Sequence, residues 1–478
     1  MNEREVVIEQ VAKQVAHYLE ASRSLDVLVT DAAAPAVLQQ EIDFTLPERG
    51  HGIHDLPRLA GEILSRSVKT ASPRFMNQLF GAASLPGIIG DLLGAVTNAS
   101  LYTYEAAPVA TLVERALVQE VCKRLGFEGG EGIFVTGGSN ANHMAMLMAR
   151  NHALPSSVHE GLHGGPRLVA FVSEEAHYSF ELGAQLISIG RAGLEKVPTD
   201  DEGRMCPRAL EAKIAAARGR GDVPFFVGAT AGTTVRGAFD SIASLHEVTA
   251  RYGLWLHVDG AWGGAVLLST TKRHYLEGVE LADSFAWDAH KLLGMPLVCS
   301  MLLTRTVGHL QRAHGETSSD YLFHDDDMDL GRKSLQCGRR ADALKLWCAW
   351  KAYGTDGLGA QVDRLVDLAR FVARLITEQP SLELLGDAPF ANVCFRVRGE
   401  DDAFQVKVRE ILKDSGRALV NHARVRNQRC LRLIVANHVA DETTLRTFID
   451  DVLWACQEAR DVSRSPSASP ADRSFNPV

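Results

Sequence analysis

Lys291 closes an apolar run, Ser284-Phe285-Ala286-Trp287-Asp288-Ala289-His290-Lys291, where an ammonium is costly to bury. Burial disfavours the charged form, and a neutral amine is a nucleophile toward carbonyl carbon. Three other runs end in groups of complementary chemistry. Asp259 follows Trp255-Leu256-His257-Val258; a carboxylate withdrawn from water needs a cationic partner, which a protonated pyridine nitrogen or an arginine supplies. His177, just after the run that ends near Ser173, is either a satisfied loop residue or a ring that meets a ligand. Thr136-Gly137-Gly138-Ser139 leads from a run into a helical segment, whose free N–H groups suit a phosphate, although tight strand-to-helix connections also use glycines. Singly, each has a structural explanation. The ordered set of glycine turn, histidine, aspartate and His-Lys is much harder to explain as surface decoration.

These residues act together only if the fold brings the ends of their strands to one edge. From about 132 to 304, short apolar runs alternate with segments of helical periodicity, the pattern of a mostly parallel sheet covered by helices. The strand candidates are 132–136, 168–172, 224–228, 254–258 and 300–303. They read as continuous runs, as strands buried on both faces should. Helical spacing appears at 140–151, 207–218 and 241–252, completing βαβ units. Open α/β sheets bind ligands beyond the carboxyl ends of their strands, which is where the four groups fall. Past Gly357 the pattern changes to a long helix (358–378), strands near 393–395 and 431–435, and a closing helix (442–460). The expected organisation is a helical segment over 1–80, a large α/β domain over 81–356, a small α+β domain over 357–462 and a flexible tail over 463–478.

A chain of 478 residues with 46% hydrophobic composition can bury a large core. Its net charge of −9 argues against a nucleic-acid partner, and no basic tract opposes that reading. Residues 1–20 are charged and amphipathic, unlike a signal peptide, so a cytoplasmic location is expected. No run has the length of a membrane span; 88–96 is broken by Gly90, Asp91 and Gly94. The eight cysteines are scattered without C-x-x-C pairs, so buried thiols are expected and a metal is not.

Six ordered blocks carry a resemblance: 75–80 (Phe-Met-Asn-Gln-Leu-Phe), 102–108 (Tyr-Thr-Tyr-Glu-Ala-Ala-Pro), 229–234 (Ala-Thr-Ala-Gly-Thr-Thr), 257–264, His290-Lys291 and Gln336-Cys337-Gly338-Arg339. Over about 73–460 the chain resembles the group II pyridoxal-5'-phosphate (PLP) dependent amino acid decarboxylases, in the branch of the glutamate and cysteine sulfinate enzymes. The resemblance implies the aspartate aminotransferase architecture, fold type I of PLP enzymes, and a homodimer in which Gln336-Cys337-Gly338 reaches toward the neighbour's cofactor. It implies that Lys291 carries PLP as a Schiff base, Asp259 pairs with the pyridine nitrogen, and His177 stacks on the ring opposite Ala261. Gly138, Ser139 and His290 would hold the phosphate, and Thr230 would lie near the phenolic oxygen. Arg432 matches the arginine for the substrate's α-carboxylate, Gln78 lies at the substrate end, and Tyr321 matches a loop tyrosine that protonates the carbanion. Asp288, Ala289 and Gly260 depart from the asparagine, proline and alanine common among relatives. Phe80, Ser100 and Tyr102 look like the cysteine sulfinate type of a three-residue pattern, favouring cysteine sulfinate or aspartate over glutamate or 2,4-diaminobutyrate. An aminotransferase or lyase on the same fold, and a non-catalytic scaffold, are the competing readings.

Overall fold

A computed structural model describes residues 2–314 and 328–464. Its centre is a seven-stranded sheet of β1 (Glu131–Val135), β2 (Leu168–Ser173), β3 (Leu194–Val197), β4 (Val223–Thr230), β5 (Trp255–Asp259), β6 (Ser284–Asp288) and β7 (Ser300–Thr304). The spatial order is β1-β7-β6-β5-β4-β2-β3. β7 pairs antiparallel with both β1 and β6, while the other neighbouring pairs are parallel. Six strands therefore share one direction, and their carboxyl ends open on the same edge. β1, β2, β5, β6 and β7 are buried along their whole length, which is why they read as apolar runs.

A second, antiparallel sheet has the order β10-β11-β9-β8, built from β8 (Leu382–Leu384), β9 (Asn392–Val397), β10 (Asn421–Val425) and β11 (Gln428–Ile434). Between the sheets runs the helix Ala343–Glu378, broken by a non-helical Gly354 (φ 65°). The helix expected from 358 is thus the second half of a longer kinked element. Near the N-terminus, Asn2 caps the helix Glu3–Ala21 and Glu5 returns the bond to the Asn2 backbone, the reciprocal arrangement that satisfies two orphan donors. The loop tyrosine Tyr321 and most of the tail lie outside the described residues. Among the described residues no helix is long and apolar enough to cross a membrane.

Candidate active site

At the open edge of the large sheet lies a cavity of about 260 Å³ lined by Thr136, Gly137, Gly138, Ser139, Asn142, His177, Tyr178, Thr230, Gly232, Thr234, Asp259, Ala261, Trp262, Asp288, His290 and Lys291. β1 delivers Gly138 and Ser139, β2 His177, β4 Thr230, β5 Asp259 and Ala261, and β6 Asp288, His290 and Lys291. Gly137 at φ +119° lets the chain turn at once into the helix Gly138–Ala153, a backbone that an L side chain rarely adopts.

Asp259 is held by a directional chain of hydrogen bonds. Its Oδ2 accepts from Asn142 Nδ2 at 2.9 Å, and the same amide nitrogen donates to Ser179 Oγ at 2.9 Å. With both amide hydrogens so used, Asn142 Oδ1 must accept, and its partner is His257 Nε2 at 2.9 Å. His257 Nδ1 then accepts from Ser284 Oγ at 2.8 Å, and Trp255 Nε1 donates to that hydroxyl at 2.8 Å. Burial pushes His257 down to about 4 against the pull of Asp259, so it is neutral in this tautomer at neutral pH. Ala261 N completes the carboxylate's shell, donating to Oδ1 at 3.1 Å.

Lys291 is less buried than an apolar strand end suggests, with 22% of its side chain exposed, and it is paired: Nζ lies 3.1 Å from Asp288 Oδ2. His290 Nδ1 lies 3.1 Å from Cys299 N and 3.2 Å from Cys299 O, and its Nε2 is 3.7 Å from Asp288 Oδ2. Burial lowers His290 below the usual histidine range while Asp288 opposes this. His177 is likewise lowered by burial against the pull of Asp259, and takes Ser179 N–H on Nδ1 at 3.3 Å.

Arg432, Gln78, Phe80, Ser100, Tyr102 and Gly338 do not line the cavity. The buried Arg432 donates to Thr234 O at 3.1 Å and Asn77 O at 2.8 Å, and its Nε is without a partner. It therefore touches the cavity through Thr234, a lining residue. Phe80 packs on Phe75 with ring centroids 5.5 Å apart, Tyr102 packs over Gly331, and Gln78 and Gly338 are exposed. The sequence reading missed Asn142 and Trp262; Asn142 stands one helical turn beyond Gly138, a spacing that puts both on the cavity face.

The lining fits a flat, phosphorylated pyridine aldehyde. Thr230 Oγ1 is buried without a partner, and a buried hydroxyl of that kind awaits a ligand group. A helix N-terminus, the Asp259 carboxylate and the Lys291 primary amine all line the one cavity. The pyridoxal-dependent decarboxylase conserved domain matches residues 35–398. This chain belongs to the pyridoxal-dependent decarboxylase family. It is 42% identical to mouse (Mus musculus) cysteine sulfinic acid decarboxylase over 76% of this chain and 74% of that protein. It is 41% identical to the mouse acidic amino acid decarboxylase GADL1 over 76% of this chain and 66% of that protein. The crystal structure of mouse CSAD superposes with a TM-score of 0.91 at 35% identity, covering 94% of this chain and 98% of the other. A rice (Oryza sativa) TDC structure with PLP and tryptamine gives a TM-score of 0.89 at 26% identity, covering 96% and 99%. The pyridoxal-dependent decarboxylase described here thus has fold type I, uses PLP and decarboxylates an amino acid; family membership decides against the aminotransferase and scaffold readings.

Proposed function

We propose that the protein decarboxylates a short acidic L-amino acid, cysteine sulfinate or aspartate in preference to glutamate. The observation that carries this is the similarity, at 42% and 41% identity, to relatives whose names specify cysteine sulfinic acid and acidic amino acids. PLP, when bound, supplies an aldehyde for imine formation and a ring that accepts the electron pair released with CO2.

Lys291 offers the amine that holds the aldehyde and yields it to the substrate. Asp259, fixed by Asn142 and Ala261, keeps a proton on the ring nitrogen through its fixed negative charge. Gly138 and Ser139 would bind the phosphate with first-turn N–H groups, His290 would add a ring nitrogen, and Thr230 would give its unpartnered hydroxyl to the phenolic oxygen. His177 and the Ala261 methyl, which line the same cavity, would confine the ring from its two sides. Arg432 binds the α-carboxylate, supported by its unpartnered Nε, with Gln78, Phe80, Ser100 and Tyr102 shaping the substrate end. A pocket built to pair a distal acid rejects neutral analogues strongly, because its polar groups would be left without partners.

The reading includes a homodimer. In its support, the helix Leu85–Thr97 leaves Leu85, Ile89, Leu92, Leu93 and Val96 exposed, far more apolar surface than one helix of a monomer usually shows water. It also includes the cytoplasm, where eight unpaired and mostly buried thiols are at home. The test is a panel of cysteine sulfinate, aspartate, glutamate and 2,4-diaminobutyrate given to purified holoenzyme, with CO2 and amine measured. Turnover of the two short acids should exceed that of the others; a preference for glutamate would overturn the substrate assignment.

A further inference from the structure

Asp288 sits where the reading above needs an anion to arrive. Its side chain is 2% exposed, and its Oδ1 is buried without a partner. A Cβ at Gly138 would meet Asp288 Oδ2 at 2.8 Å and Oδ1 at 3.2 Å. The carboxylate therefore abuts the first residue of the helix Gly138–Ala153, the place where orphan N–H groups attract negative charge. Lys291 Nζ at 3.1 Å supplies its counter-charge, and His290 Nε2 lies 3.7 Å away.

We propose that Asp288 couples cofactor capture to a proton: its carboxylate must become a neutral carboxyl before a phosphate dianion is held against this helix end. The proposal rests on the assignment of the phosphate to Gly138, Ser139 and His290. Two anions pressed together beside the buried Asp288 side chain repel strongly, whereas a carboxyl donates a hydrogen bond to a phosphate oxygen. The groups facing Asp288 are Lys291 and His290 on its own connection, His177 from the segment after β2, Asp259 across the cavity, and the Ser300 hydroxyl from β7. Cys299, with Asp342 and Lys345 behind it, completes the surroundings.

The sign follows from these neighbours. Burial, the largest single influence, raises the Asp288 carboxyl, but Lys291, His290 and the Ser300 hydroxyl together outweigh it and hold the group below the usual carboxylate range. A bound dianion raises it. Between the free and bound values the complex carries one more proton than its parts, so affinity falls as pH rises, by up to about tenfold per pH unit.

The experiment titrates cofactor-free wild type and Asp288→Asn with PLP, and in parallel with pyridoxal, which lacks the phosphate, following imine absorption from about pH 5 to about pH 8. Asparagine keeps the shape and a donor but needs no proton. The ratio of Asp288→Asn to wild-type affinity for PLP should be smallest at the acid end and grow by about tenfold or more toward the alkaline end, while the ratio for pyridoxal stays level. A level ratio for PLP, or an equal rise with pyridoxal, overturns the proposal; the latter would mean that Asp288 acts on Lys291 and not on phosphate. Should the variant fold poorly, calorimetry of the wild type in two buffers of different ionisation enthalpy reads the same step. At the alkaline end PLP should take up about one proton more than pyridoxal, and equal uptake is again contrary. No imine from the wild type with either aldehyde defeats the proposal together with the Lys291 assignment, which sets that failure apart from the others.

Discussion

Asp259 reaches its ring-facing position through Asn142, and Asn142 through a neutral His257. Replacing Asp259 by asparagine keeps the shape and removes the fixed charge, so kcat should fall by about 10²- to 10³-fold, the loss typical of one preorganised electrostatic group. Rapid turnover by Asp259→Asn with the cofactor bound would remove Asp259 from the proposed role. His257 gives a second handle. Its folded value, about 4 against the ordinary histidine value of 6.5, is depressed, so the stability it confers is present above about pH 6.5 and is lost as pH falls toward about pH 4. The unfolded chain then binds a proton that the folded chain refuses. Between about pH 7 and about pH 5 the His257→Asn variant should lose about 2 kcal/mol less stability than the wild type, measured by urea unfolding at each pH. Parallel pH profiles would show that the imidazole is not the group that refuses the proton.

At the scale of elements, the strand ends were legible because each chemical group follows a run buried on both faces, and this holds even for the edge strand β1, which is buried throughout. β3 was not legible: it has four residues, and its Glu195 and Lys196 are half-buried at the sheet edge, so it forms no run. Nor was the reversal of β7 read in advance. The connection from Asp288 to Ser300 holds no helix, and a parallel crossover needs a dozen or more residues and usually a helix, so its shortness was the available signal. The partners of Asp259 were hidden for another reason. Asn142 and His257 are far apart in sequence and meet only because a helix packs across β5. One contact behind the site shows how tightly the elements are set. A Cβ at Gly359 would lie 2.2 Å from Leu268 O, where the helix Ala343–Glu378 crosses the 3-10 stretch Gly263–Leu268 just after Asp259. Gly359→Ala should therefore destabilise the fold by about 1–3 kcal/mol through overpacking, despite alanine's better helix propensity. An unchanged urea midpoint would mean that this crossing yields without cost.

At the scale of the molecule, several residues implied by resemblance stand outside the cavity of a single chain. Gly338 is exposed with nothing within 4 Å of a Cβ built on it, and the neighbouring Leu335 is 53% exposed. The apolar side chains of the helix Leu85–Thr97, together with Val109 and Leu112, are uncovered as well. A second copy packed on this face would bury the stripe, and the 336–338 segment would then have a neighbour's site to complete. A charge placed in such a contact has no partner and must be desolvated, at a cost of several kcal/mol. Leu92→Glu should consequently convert a dimer to a monomer in sedimentation velocity and depress decarboxylation with it, since part of each site would be withdrawn. The same substitution on a monomer's surface would cost within about 0.5 kcal/mol and change neither mass nor turnover. A wild-type chain that sediments as a monomer at assay concentration and still releases CO2 leaves the stripe without its second copy, and with it the proposed part of Gly338 in catalysis.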